Sequence, residues 1–494
     1  MTPAYQELEK RFAHLAAFRE TIGILTWDRE TTMPRGGAPG RADQLAALEG
    51  LCHGMLSEPS LGDLLEQAEG EGGTLEGAQQ ANIRAMRRVW RHANAVPADL
   101  VEARSRACSA CQQVWLEARP AADFAAFLPT FAEVINLTRQ SAAAKAEATG
   151  TSTYNALLDE YDPGLTETRI DPLFERLADV LPGHLEHARA NQRKPEPLAG
   201  PFAIADQESL GLKLMAAVGF DFECGRLDVS AHPFTGGATG DVRITTRYDE
   251  NDFASGIMGV MHETGHAIYE QGLPDAWAGQ PVGRDAGMSI HESQSLLIEM
   301  QVSRGRPFLE FLAPLLRETY GGDGPAWQVD NLIRLSNRVE PGFIRVDADE
   351  ITYPFHIILR YRLERMLLSG DLDPADLPAA WNDGMEGLLG IRPPDDRLGC
   401  LQDIHWADGL IGYFPTYTLG ALAAAQLYRA ALEAHPEIPD CLRRGDFSLL
   451  LSWLRQNVHQ WGAILTTDEL IEQATGAPLS TAAFESHLAE RYGG

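Results

Sequence analysis

Cysteine is scarce in these 494 residues, with six in the whole chain (Cys52, Cys108, Cys111, Cys224, Cys400 and Cys441). The one close pair, Cys108-Ser-Ala-Cys111, has no second pair nearby and sits between helix-forming flanks. A thiol metal centre or a disulfide framework is therefore not what organises this protein. Positive charge is also short: 41 basic residues face 70 acidic ones, a formal charge of −29. That balance repels nucleic acid and anionic lipid, so neither is expected as a partner. Long apolar runs are missing too. The nearest, GLIGYFPTYTLGALAAAQLY at 409–428, is uncharged, but Pro415, Gln426 and its glycines and threonines make it a buried helix and not a membrane span. The N-terminal stretch has neither a basic n-region nor an apolar h-region, which predicts a cytoplasmic address.

What is present is an ordinary globular composition, 44% hydrophobic and 22% charged, so most of the chain should fold. Tyr5, Leu8, Phe12, Leu15, Phe18 and Ile22 recur at three-four spacing, the mark of an amphipathic helix. Ala/Leu/Glu/Arg-rich stretches at 76–117, 121–148, 171–191, 355–369 and 418–434 carry the same period. One strand signal stands out, DVRITTRYD at 241–249. Length alone suggests about three domains. No repeat, low-complexity tract or polar linker divides the chain, so a single mainly α domain over 1–494 is expected, with an N-terminal helical lobe to about residue 200 and a second lobe after it.

The densest chemistry lies in ASGIMGVMHETGHAIYEQGLP, 254–274. Asn251 or Asp252 can cap a helix that Gly272 and Pro274 end. On it His266 lies about 40° around from His262, whereas Glu263 lies about 100° away. Two imidazoles on one face can share a cation, and Glu263 on the flank stands where a general base for water would. Neutral imidazoles suit zinc, one ion per chain, with cobalt or manganese as substitutes. The competing reading makes both histidines core residues bonded to carboxylates. A third ligand should return on a second helix, where MSIHESQSLLIEM (288–300) offers Glu292, favoured over His291, which would point about 100° away, and over Glu270. That Glu292 begins a second site is an inference from the first helix. Alone it would be a solvated glutamate near a helix start.

Six blocks occur in order: HPF (232–234), DVRIT (241–245), HETGH (262–266), HESQS (291–295), IRVDAD (344–349) and GCLQDIHW (399–406). With LTWDRETTMPRGGAPGRADQLAAL near the N-terminus and YNALLDEYDPG at 154–164, they resemble the thermostable, Taq-type family of zinc metallocarboxypeptidases over the whole chain. The resemblance implies a mainly helical, gluzincin-like fold with a small sheet beside a deep groove, usually a homodimer. It implies removal of single residues from the free C-termini of peptides with broad specificity. It assigns zinc to His262, His266 and Glu292 and the catalytic base to Glu263. A helical oligopeptidase or dipeptidyl carboxypeptidase would share these residues, and an inactive metal-binding scaffold would have little use for Glu263.

An exopeptidase must hold a terminal carboxylate, for which arginine's planar fork is suited. Arg345 in IRVDAD resembles the arginine that the family uses near its site. The structural alternative pairs it with Asp349 four residues on. Arg243 shares a strand face with Asp241, so substrate contact and an internal ion pair are both open; that strand could also offer its backbone edge to a peptide. His405, Tyr413 and Tyr417 are candidate donors to an oxyanion or carboxylate, and His232 a candidate site-lining residue.

Overall fold

A computed structural model describes residues 2–493. Its first helix, Pro3–Thr31, is capped by the Thr2 hydroxyl, which accepts from the Tyr5 N–H. Tyr5, Leu8, Phe12 and Leu15 face a core of their own with Leu61, Leu65 and Met86, and Phe18 and Ile22 pack at its margin. The stretch 76–117 is not one helix. It breaks at Val96-Pro97 into Gly77–Ala95 and Ala98–Ala121, because proline offers no N–H to continue the ladder. The other expected helices appear as Phe124–Thr149, Glu167–Asn191, Tyr353–Ser369 and Pro415–Ala434. No helix among the described residues is long and apolar enough to cross a membrane. All six cysteines are free thiols.

Three short strands form the sheet: β1 (Gly225–Val229), β2 (Thr235–Ala238) and β3 (Asp241–Thr246). Their order is β1-β3-β2, with β3 parallel to β1 and antiparallel to β2. β3 is therefore central and has no backbone edge to offer a peptide, contrary to one expectation. β2 is an edge strand, and the first helix meets it closely: a Cβ on Gly23 would lie 2.5 Å from the Gly237 carbonyl oxygen.

The chain forms two compact units that interleave along the sequence instead of dividing once near residue 200. The first comprises Met1–Ala93, Arg193–Asn337 and Gly420–Leu479; the second comprises Asn94–Gln192, Arg338–Leu419 and Ser480–Gly494. Besides the N-terminal cluster, the first unit has a core in which Leu214, Ile257, Val260, Met261, Ile268 and Leu297 are almost fully buried. In the second, Phe131 stacks on Trp406, which meets Trp381 edge-on. Here the block at 154–164 is tied to the loop 400–412 through buried Glu364, which accepts from Tyr154 Oη (2.7 Å), Trp406 Nε1 (2.9 Å) and Gly412 N (3.0 Å). Burial lifts this carboxyl to about 7 even though those donors pull it down.

Candidate active site

The helix carrying HETGH runs Phe253–Glu270 and is capped by Asp252, not Asn251: the Asp252 carboxylate accepts from Ser255 N at 3.1 Å. A second helix, Met288–Leu296, widens into a π-helical stretch, Leu297–Ser303. The two lie against each other at Gly265, where a Cβ would come 2.5 Å from the Gln294 carbonyl oxygen. The glycine inside the motif thus sets the spacing between these two helices. From the other side the helix Pro415–Ala434 comes close at Gly420, whose added Cβ would meet Glu292 at 2.8 Å.

His262, His266 and Glu292 converge, their ligand atoms all within 4.8 Å of one another. Glu292 Oε2 stands 3.4 Å from His266 Nε2 and 4.0 Å from His262 Nε2. Both Nδ1 atoms are engaged elsewhere. His262 Nδ1 meets Glu299 Oε2 at 3.0 Å, and Arg304 Nη2 donates to the other Glu299 oxygen at 2.7 Å. His266 Nδ1 meets His291 Nδ1 at 2.6 Å, and His291 Nε2 meets Glu270 Oε1 at 2.8 Å. His291 and Glu270, the rival candidates for third ligand, thus form a chain behind His266. Each of the two imidazoles has its Nε2 turned to Glu292 and its Nδ1 engaged by a partner, an arrangement that suits a divalent cation.

The electrostatics agree. Burial opposes charge on His262, yet Glu299, Glu292 and Glu263 outweigh it and raise its pKa; surroundings so rich in carboxylate also suit a cation. His266 goes the other way, pushed well down by burial and by its neighbours His291 and His262. Burial would raise Glu299, but Arg304 and His262 bring it down to about 2, so it stays ionised. Glu263 is outside the convergent set. Its Oε2 accepts from the Thr235 hydroxyl at 2.6 Å.

In the second unit, Arg345 is 5% exposed and its partner is not Asp349. Asp349 instead accepts from the N–H groups of Glu340, Ile351 and Thr352. Arg345 donates through Nε (3.1 Å) and Nη2 (2.9 Å) to Asp403 Oδ1 and through Nη1 to Tyr353 Oη (3.0 Å). Its guanidinium lies 4.8 Å from the Tyr417 ring centre. Asp403 Oδ2 also takes Arg360 Nε (2.8 Å) and Nη2 (2.5 Å), so one carboxylate answers two buried guanidiniums. Burial opposes that charge, but Arg345 and Arg360 keep Asp403 ionised. His405 lies beside this cluster, its Nε2 3.2 Å from Tyr417 Oη and its ring 5.7 Å from Tyr413. Burial holds it down to about 4, and at neutral pH it adds no charge.

Two expected site residues take other surroundings. Arg243 forks onto Asp241 (Nε to Oδ1, 2.9 Å; Nη2 to Oδ2, 2.5 Å) and stacks over Trp27 at 4.5 Å, the internal pairing allowed from sequence. His232 is exposed on the turn before β2, where its carbonyl accepts from the Ser230 hydroxyl. Asp403, Arg360, Glu299 and Thr235 were not singled out. Glu299 had a legible signal, since it follows Glu292 by seven residues, two helical turns on the same face.

Comparison with known proteins shows the family. The family model described as Carboxypeptidase Taq (M32) metallopeptidase matches residues 7–492. The thermostable carboxypeptidase 1 of Thermus thermophilus is 39% identical, over 100% of this chain and 99% of that protein. Among solved structures, metallocarboxypeptidase 1 of Trypanosoma cruzi superposes with a TM-score of 0.97 at 42% identity, over 99% of both chains. An M32 carboxypeptidase from Deinococcus radiodurans does so with 0.93 at 35%, over 100% of both. With its histidine-histidine-glutamate cluster in place, the chain belongs to the Carboxypeptidase Taq (M32) metallopeptidase family and is a metallocarboxypeptidase.

Proposed function

We propose that the protein releases single amino acids, with broad specificity, from the free C-termini of peptides. His262, His266 and Glu292 hold one zinc ion, with cobalt or manganese as possible substitutes. When bound, zinc supplies the Lewis acidity that polarises the scissile carbonyl and makes an attacking water acidic. Glu263 takes the water's proton and returns it to the leaving amine. Arg345 receives the terminal carboxylate, with His405, Tyr413 and Tyr417 as hydrogen-bonding neighbours. The observation that carries this reading is the convergence of ligand atoms from two histidines and one glutamate, with a second carboxylate, Glu263, on the same helix as the histidines and not part of the set. Buried Arg345 and Arg360 sharing one carboxylate support the anion-binding role. The whole chain, 1–494, serves as one catalytic domain in the cytoplasm, and it works as a homodimer, as the family resemblance suggests.

C-terminal ladder sequencing of a peptide panel tests the reading. Free-acid peptides should lose one residue at a time, chelation should stop the reaction, zinc should restore it, and amidated peptides should resist. Dipeptide steps or internal fragments would overturn it. Arg345→Ala should lower kcat/KM on free acids by about 2–5 kcal/mol while leaving the slow cleavage of amides nearly as it was.

A further inference from the structure

The base has a partner that the motif does not contain. Thr235 opens β2, and its position is pinned by strand pairing. Phe234, just before it, accepts from Thr245 N at 2.9 Å and donates its own N–H to the Thr245 hydroxyl at 3.0 Å. Thr235 itself stands opposite fully buried Ile244 in the β2–β3 register. A β-branched side chain has little χ1 freedom on such a strand, so the direction of its hydroxyl is set by the sheet. That hydroxyl lies 2.6 Å from Glu263 Oε2 and 3.3 Å from the Glu263 carbonyl oxygen. It has one proton to give, and 2.6 Å against 3.3 Å puts that proton on the carboxylate oxygen.

We propose that Thr235 is a positioning residue for the general base: it holds Glu263 Oε2 and leaves Oε1 as the oxygen that accepts the water's proton. The inference rests on the reading of Glu263 as base. Without the hydroxyl, the carboxylate on the helix flank regains rotation about its terminal torsion and spends less time with Oε1 presented. Binding of substrate and zinc does not involve this bond, and neither should suffer from its loss.

The test compares the near-isosteric Thr235→Val with Thr235→Ser, each alone and combined with Glu263→Gln. Expected is a roughly 10-fold fall in kcat for Thr235→Val, the lower end for loss of a supporting hydrogen bond. KM, bound zinc and thermal midpoint should stay near wild type, and Thr235→Ser should recover most of the rate. In the Glu263→Gln background the valine change should cost nothing further, because a residue acting through the base has nothing left to position. Wild-type kcat in Thr235→Val, an equal loss in Thr235→Ser, or a full 10-fold loss on top of Glu263→Gln would each overturn the proposal. If the valine variant does not fold, Thr235→Ala against Thr235→Ser gives the same contrast. Full activity of Glu263→Gln alone would instead sink the assignment of the base.

Discussion

The His262–His266–Glu292 cluster, half-buried at its histidines, and the more deeply buried Arg345 cluster are both charged, yet they are built with opposite surpluses. Around His262 and His266 stand Glu263, Glu292 and Glu299, with Arg304 as the bonded arginine. Around Asp403 stand Arg345 and Arg360, with His405 held neutral. A protein whose only aim was stability would match its buried charges one to one or replace them with apolar groups. On the reading proposed above, a ligand completes each cluster, a cation the first and an anion the second. Opposite surpluses in one chain are what a metal-dependent exopeptidase requires, since it must hold a metal and the carboxylate of a chain end.

The most severe way to break this comparison is to remove the shared carboxylate. Asp403→Asn leaves Arg345 and Arg360 buried without their common anion and should cost about 3–5 kcal/mol in unfolding free energy by denaturant titration. Arg345→Ala should cost less, about 2 kcal/mol, because Asp403 keeps Arg360 and an even pairing remains. If Arg345→Ala were the more destabilising, Arg345 would be the structural half of the network and the surplus charge would belong elsewhere.

The metal side is sharpened by Glu299, which keeps His262 Nδ1 occupied. Glu299→Gln removes a negative charge and the strong acceptor for that nitrogen, and should weaken zinc binding about 10–100-fold in competition with a chromogenic chelator. The three proposed ligands would all remain. Unchanged affinity would mean that the bond between Glu299 and His262 does not orient the ligand.

How far these clusters could be read from sequence depends on how locally they are made. His262, Glu263 and His266 lie on one helix, where three-dimensional placement follows from a known turn per residue. Glu292 needed only one further helix and the expectation of a third ligand. Arg345 was legible as an arginine in want of a carboxylate, but its partner Asp403 is 58 residues away, and the neighbour within helical reach, Asp349, had already been taken by backbone N–H groups. Thr235 reaches Glu263 across 28 residues, on a strand whose TGGA sequence has too little β character to announce itself. The break at Pro97 was visible in the letters and overridden by the helical period on both sides. Local periodicity was readable, and pairings set by tertiary packing were not.

The smallest effect should come from Asp241 and Arg243, which serve as the contrast to Asp403 and Arg345. The chemistry is the same, a forked guanidinium on a carboxylate, but the side chains are 41% and 20% exposed. Water screens the pair and solvates whatever is left when one member goes, so Asp241→Asn should cost no more than about 1 kcal/mol. Arg243 keeps its seat over Trp27 in that variant, since stacking on an indole does not need the aspartate. The expected reading is therefore a small change in denaturant midpoint with KM and kcat near wild type. A several-fold rise in KM on free-acid peptides, with stability unchanged, would mean that Asp241 holds Arg243 toward substrate, and Arg243 would then share the carboxylate-binding role now given to Arg345.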